Sequence, residues 1–186
     1  MGNTRPMLVG PDAGPESPYP LQMEGKVIKG FGRGSKELGI PTANLPVDAT
    51  PWIEKAKSGV YFGWAALQLP ADHPNYNEQQ QQSNNQFALF PMVMSIGYNP
   101  FYNNTVRSAE VHVLEAFGAD FYGIEMRLLI LGYIRDEQSY DGIDALIEDI
   151  KTDCEVARRS LDRQGWRPKG GKADGALDCS WLTREA

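Results

Sequence analysis

Several things this chain has little of narrow the reading at once. It carries only two cysteines, Cys154 and Cys179, too few for a disulfide framework or a cysteine-based metal knuckle. It has no basic excess: 18 Lys+Arg stand against 24 Asp+Glu, a net charge of −6. A protein gripping nucleic acid by neutralising phosphates would want a basic face, so that class of partner is not expected. No apolar stretch exceeds four residues, the length of Leu128-Leu129-Ile130-Leu131, far too short for a membrane-spanning helix. The N-terminus opens Met1-Gly2-Asn3-Thr4-Arg5-Pro6, which resembles no signal peptide and lacks the Ser or Thr that myristoylation needs at position 6. The expectation is one intracellular, cytoplasmic domain with no membrane partner, an organellar pool staying open. What is present supports a packed core: 41% of the 186 residues are hydrophobic and 10% aromatic.

The chain changes character along its length. Residues 1–20 hold five prolines and few large apolar side chains, and read as a disordered tail. Gly25 to Lys29 reads as a short strand, and the two prolines in Ile40–Pro46 demand an extended or turning segment. Gly59–Leu67 is aromatic and β-branched, as strands are. Residues 69–86 form a polar insertion ending in the glutamine-rich tract 78–86, expected as a passive loop between strands. Met92–Gly97, Glu110–Phe117 and Glu125–Ile134 are the next strand-like runs.

The period then switches. Ile143, Leu146, Ile147, Ile150, Cys154, Ala157 and Leu161 step by three and four, the apolar face of a helix, with Glu148, Asp149, Lys151, Asp153, Arg158 and Arg159 on its other face. Gly165 and Pro168 stop it. Short strands followed by one helix predict a mainly β fold, an antiparallel sheet or small barrel packed by that helix. The domain spans 21–165, with 166–186 as a C-terminal tail of little core-forming content. Without strand–helix alternation a dinucleotide-binding α/β fold is not expected.

Three segments carry candidate chemistry. Gly30, Gly32 and Gly34 alternate in a loop with Ser35 and Lys36, which suits a nest of amides around phosphate; by spacing alone it is equally a solvent-exposed turn. It is neither the Walker pattern nor the dinucleotide pattern. In Pro41-Thr42-Ala43-Asn44, Thr42 and Asn44 share one face of an extended segment. A hydroxyl and an amide oxygen are hard ligands of the kind Mg²⁺ accepts beside phosphates and water, though a turn with side-chain-to-backbone bonds is the plainer reading. On Ser108–Val113, Glu110 and His112 share a face. The carboxylate is a candidate proton acceptor, or simply part of a solvated strand face; His112 taken alone reads as structural. The sequon Asn103-Asn104-Thr105 has no secretory signal to give it meaning.

Together, Gly25–Lys36, Leu38–Asn44, Ser95–Pro100, Glu110–His112, Asp120–Gly123 and Gly132–Arg135 occur in the order found in one family, and over residues 24 to about 162 the chain resembles riboflavin kinase. The resemblance implies a six-stranded antiparallel Greek-key-like barrel with a C-terminal amphipathic helix. It implies transfer of the ATP γ-phosphoryl group to the 5′-hydroxyl of riboflavin, giving FMN and ADP. Glu110 matches the family's catalytic carboxylate. Thr42 and Asn44 match the residues holding the metal, Mg²⁺ with Zn²⁺ or Mn²⁺ as substitutes. Gly30, Gly32, Ser35 and Lys36 match the flap over the nucleotide, Thr42 and Tyr122 also lie at the nucleotide, and Arg135 falls at the flavin. With no adenylyltransferase domain expected from a short tail, the likeness is to the single-function form, a monomer whose ligands are riboflavin/FMN and ATP/ADP. A non-catalytic flavin-binding barrel is the alternative, and it would need neither Thr42, Asn44 nor Glu110.

Overall fold

A computed structural model describes residues 6–28, 42–69, 87–98, 107–114, 123–138, 141–169 and 175–184, with the backbone alone at Thr42 and Ile143. The glutamine-rich tract lies outside them. The elements are β1 (Leu21–Lys26), β2 (Thr42–Leu45), β3 (Gly59–Gln68), β4 (Phe87–Tyr98), β5 (Arg107–Val113), β6 (Glu125–Arg135) and α1 (Ile143–Leu161). The strands form one six-stranded sheet in the order β1-β6-β3-β4-β5-β2, and every neighbouring pair is antiparallel. β3, β4 and β5 follow one another across the sheet and β6 returns beside β3, which is the Greek key. The sheet curls until its edges meet. Ile28, just past β1, exchanges two backbone hydrogen bonds with Asn44 of β2, at 2.9 and 3.2 Å.

Two apolar layers hold this arrangement. Inside the barrel, Met23, Ala43, Leu45, Ala65, Leu67, Met92, Met94, Ile96, Val111, Val113, Met126, Leu128 and Ile130 pack together. Outside, Val60, Phe62, Ala66, Val93, Leu129 and Leu131 meet Cys154, Ala157 and Leu161 of α1, with Trp166 beyond it. β3 and β6 are therefore buried on both faces, which is why their sequences run continuously apolar where a half-exposed strand would alternate. Burial pushes the thiols of Cys154 and Cys179 up, to about 11 and about 12, so both serve as small apolar side chains.

Where β3 crosses β6 the register shifts between Phe62 and Gly63. A Cβ at Gly63 would sit 1.9 Å from the Leu129 carbonyl oxygen, a clash with backbone that no rotamer relieves. Gly63→Ala is expected to cost about 1–3 kcal/mol or more, because the bulge has to open. A thermal melt matching wild type would show that the two strands can separate freely there.

Both ends of the chain differ from expectation. Residues 6–20, expected as a disordered tail, lie against α1 and the turn after it. The Val9 amide donates to Ser160 Oγ at 3.0 Å and Trp166 Nε1 donates to the Pro11 carbonyl at 2.8 Å. Arg163 donates to the carbonyls of Val9 and Gly10. A proline-rich segment loses little further entropy on ordering, so side-chain partners suffice where no ladder exists. The segment 175–184 also packs on the barrel. Leu182 is fully buried, and Arg127 donates to the carbonyls of Leu182 at 3.1 Å and Arg184 at 2.7 Å. The strands differ in extent too: β1 spans Leu21–Lys26 rather than 25–29, β4 begins at Phe87, and β5 begins at Arg107 and ends at Val113.

Candidate active site

β2 is a four-residue edge strand whose alternate residues face opposite ways. Ala43 and Leu45 enter the barrel core, so Asn44 takes the outer side of the strand. On β5, Ala109, Val111 and Val113 face the same core, which turns Glu110 and His112 outward. The register then assembles the site: Asn44 pairs with Glu110, and Thr42 with His112. Directly opposed residues of an antiparallel pair bring their Cβ atoms to roughly 5 Å. Four positions drawn from two distant segments thus form one patch at the barrel seam, flanked on β4 by Ser95 opposite Glu110 and Val93 opposite His112.

The patch is polar and sheltered. Asn44 is 7% exposed and His112 6%, while the Glu110 side chain keeps 32% of its surface open. His112 Nε2 stands 3.4 Å from Glu110 Oε1. Among the described residues, neither Asn44 Nδ2 nor His112 Nδ1 has a hydrogen-bond partner. Orphaned polar atoms this deep cost free energy unless something binds them. The Ile28–Asn44 pairing also fixes both roots of segment 29–41 at this patch. Gly30, Gly32, Ser35, Lys36 and Tyr122, expected at the nucleotide, lie outside the described residues, as does the side chain of Thr42.

Arg135 is placed elsewhere, at the end of β6 against the helix. Its Nε lies 3.0 and 3.1 Å from the Asp153 carboxylate oxygens and its Nη2 2.9 Å from Oδ2. Its Nη1 donates to the Asp136 carbonyl at 3.2 Å. Asp153, read from the sequence as part of the polar helix face, is 1% exposed. That is a correction. The helical step from Ile150 through Asp153 and Cys154 to Ala157 carries it onto the buried ridge, where Arg135 supplies the charge. Beside this pair the Tyr133 hydroxyl donates to Asp136, whose carboxylate also receives Lys57 Nζ at 2.9 Å. Burial and that bond raise the Tyr133 phenol, so it stays a neutral donor; the hydrogen bonds from Lys57 and then Tyr133 hold Asp136 below the usual carboxylate range.

Sequence reasoning missed a buried arginine. Arg107, 4% exposed, donates to the Ile53 carbonyl at 3.0 Å, to Ser58 Oγ at 2.7 Å and to the Ala56 carbonyl. It staples segment 53–58 to the start of β5, just before Glu110. Nothing in its neighbourhood in sequence marks it.

Comparison with known proteins gives a consistent answer. The family model described as Flavokinase, Riboflavin kinase, matches residues 17–161. A riboflavin kinase of Pyricularia oryzae is 63% identical over 195 residues, covering 99% of this chain and 96% of the relative. One from Chaetomium globosum is 56% identical over 219 residues, covering 97% and 93%. Among solved structures, riboflavin kinase from Trypanosoma brucei matches with a TM-score of 0.59 at 28% identity, over 80% of this chain and 83% of that one. The barrel with its helix, the seam patch and these relatives agree: this chain belongs to the riboflavin kinase family.

Proposed function

We propose that this protein transfers the γ-phosphoryl group of ATP to the 5′-hydroxyl of riboflavin, forming FMN and ADP. Family membership supports the reaction, and one structural observation supports its location: Glu110, a third exposed, opposite the buried Asn44 at the barrel seam.

Phosphoryl transfer asks for in-line positioning and charge neutralisation more than for covalent chemistry. Glu110 takes the proton of the ribityl 5′-hydroxyl as that oxygen approaches the γ-phosphorus, and ADP departs with the electrons of the bond that breaks. By resemblance alone, Gly30, Gly32, Ser35 and Lys36 are assigned to a flap over the nucleotide and Tyr122 to the nucleotide itself.

The residues present fit a divalent cation of the oxygen-seeking kind. Among the described residues no cluster of three or more His, Cys, Asp or Glu could hold a metal, so a cation here would rest on one or two protein oxygens and on the nucleotide's phosphates. That is how Mg²⁺ is usually held, and hydroxyl and amide oxygens suit Mg²⁺ or Mn²⁺ better than Zn²⁺. Asn44 and, by its register position, Thr42 would supply those oxygens, leaving the unpaired Asn44 Nδ2 to donate to a phosphate. When bound, the ion neutralises charge that develops on the transferring phosphoryl group.

The test is to mix purified protein with riboflavin, ATP and Mg²⁺ and follow FMN by chromatography, with Asn44→Ala alongside. Wild type is expected to form FMN. The variant is expected to need about tenfold more Mg²⁺-ATP for half-maximal rate, the effect of losing one charge-assisted contact. Absence of FMN despite tight flavin binding would indicate a carrier barrel, and unchanged Mg²⁺-ATP dependence would remove Asn44 from the metal–nucleotide site.

A further inference from the structure

We infer that His112 is a positioning residue for Glu110: its imidazole holds the carboxylate in the orientation from which it takes the hydroxyl proton. The inference rests on Glu110 being the base.

Three observations carry it. The His112 side chain is 8% exposed, and register places it between Thr42 on β2 and Val93 on β4, so strands on both sides confine it. Its Nε2 lies 3.4 Å from Glu110 Oε1, while Nδ1 has no partner among the described residues. A buried ring with one unsatisfied nitrogen is poorer core material than leucine. Among the described residues the polar neighbour of the imidazole is the Glu110 carboxylate, a partner that leucine could not serve.

Glu110 needs such a restraint. Its carboxylate sits on a two-carbon stem and is a third exposed, free to sample rotamers that face away from the substrate. An Nε2–H contact to Oε1 fixes the stem and leaves the other carboxylate oxygen for the hydroxyl. A 3.4 Å separation is long for a hydrogen bond, and contacts of this sort tighten when substrate is in place. Misplacing a catalytic group by about 1 Å costs on the order of a hundredfold in rate.

The experiment is a double-mutant cycle on the full chain: wild type, Glu110→Gln, His112→Leu and the double variant, with His112→Gln and His112→Asn added. For each, kcat and both KM values are read from FMN formation, together with a thermal melt. His112→Leu is expected to lower kcat about 10- to 100-fold with KM values within about twofold of wild type, and with Tm unchanged or raised. In the Glu110→Gln background the same substitution is expected to cost less than about twofold, because residues acting through one group are non-additive. The amide of His112→Gln reaches the ε position and is expected to recover most of the lost rate. His112→Asn, one methylene shorter, is expected not to recover it, and this pair keeps the test sharp if the leucine variant fails to fold. An equal loss in both backgrounds, or unchanged kcat in His112→Leu and His112→Asn while Glu110→Gln is dead, overturns the positioning role and leaves the base standing. Near-normal turnover in Glu110→Gln overturns both.

Discussion

Glu110→Gln is expected to fold, to bind nucleotide as wild type does, and to make FMN about 10²- to 10⁴-fold more slowly, the range typical of losing a general base. The substitution keeps the shape of the side chain and changes only its ability to accept a proton. Little in the fold depends on the charge. Glu110 is a third exposed, and His112 Nε2 at 3.4 Å is its ionic neighbour among the described residues. The β5 backbone is held by ladders on both sides, to β2 and to β4, and these survive the change. Three measurements separate the cases: kcat by FMN formation, ATP affinity by calorimetry, and Tm by a thermal scan. A loss of kcat with unchanged affinity and Tm places the defect in proton transfer. A loss of affinity would mean that the carboxylate also helps to hold the metal–nucleotide pair, and near-normal kcat would leave the hydroxyl's proton to another acceptor.

Much of this site was legible in the sequence because extended chain has a period of two. Alternation alone puts Thr42 with Asn44 and Glu110 with His112. It cannot say that the two pairs face each other across a ladder, since that pairing joins segments far apart in the chain. The same limit hid His112: judged on its own strand it is an ordinary buried histidine, and only its distance to Oε1 sets it apart. Strand types were readable from composition, but β1 and β4 begin earlier than expected because Leu21, Phe87 and Ala88 pair with chain the local pattern does not reveal. The helix came out at its bounds, yet Asp153 was assigned to the wrong face. A carboxylate one step along the ridge from Ile150 is a sign that a buried cation waits opposite, and a strictly apolar count passes over it. The N-terminal segment was misjudged because its backbone is satisfied by Ser160, Arg163 and Trp166, all at the far end of the chain.

Arg135 provides the other large effect. Arg135, which the resemblance assigns to the flavin, ties the end of β6 to α1 through Asp153. The two side chains are 11% and 2% exposed and meet at 2.9 Å. Removing one member of a buried ion pair costs about 3–5 kcal/mol, chiefly from the charge left behind. Arg135→Ala is expected to lie in that range, since Asp153 is the deeper partner. Asp153→Ala is expected to cost less, because Arg135 can shift toward Asp149, already 3.9 Å away, or lead its head group outward. Replacing both, as in Arg135→Met with Asp153→Leu, is expected to regain most of the stability, as buried pairs exchanged for apolar residues often do. For a chain of this size the Arg135→Ala loss corresponds to a Tm lower by roughly 10 °C. Kinetics on the folded fraction then separate strut from contact. A strut predicts that KM for riboflavin rises in both single variants and recovers in the double one. A direct contact to the flavin predicts that Arg135→Ala and the double variant are impaired alike while Asp153→Ala binds riboflavin normally, and that outcome would return Arg135 to the flavin itself.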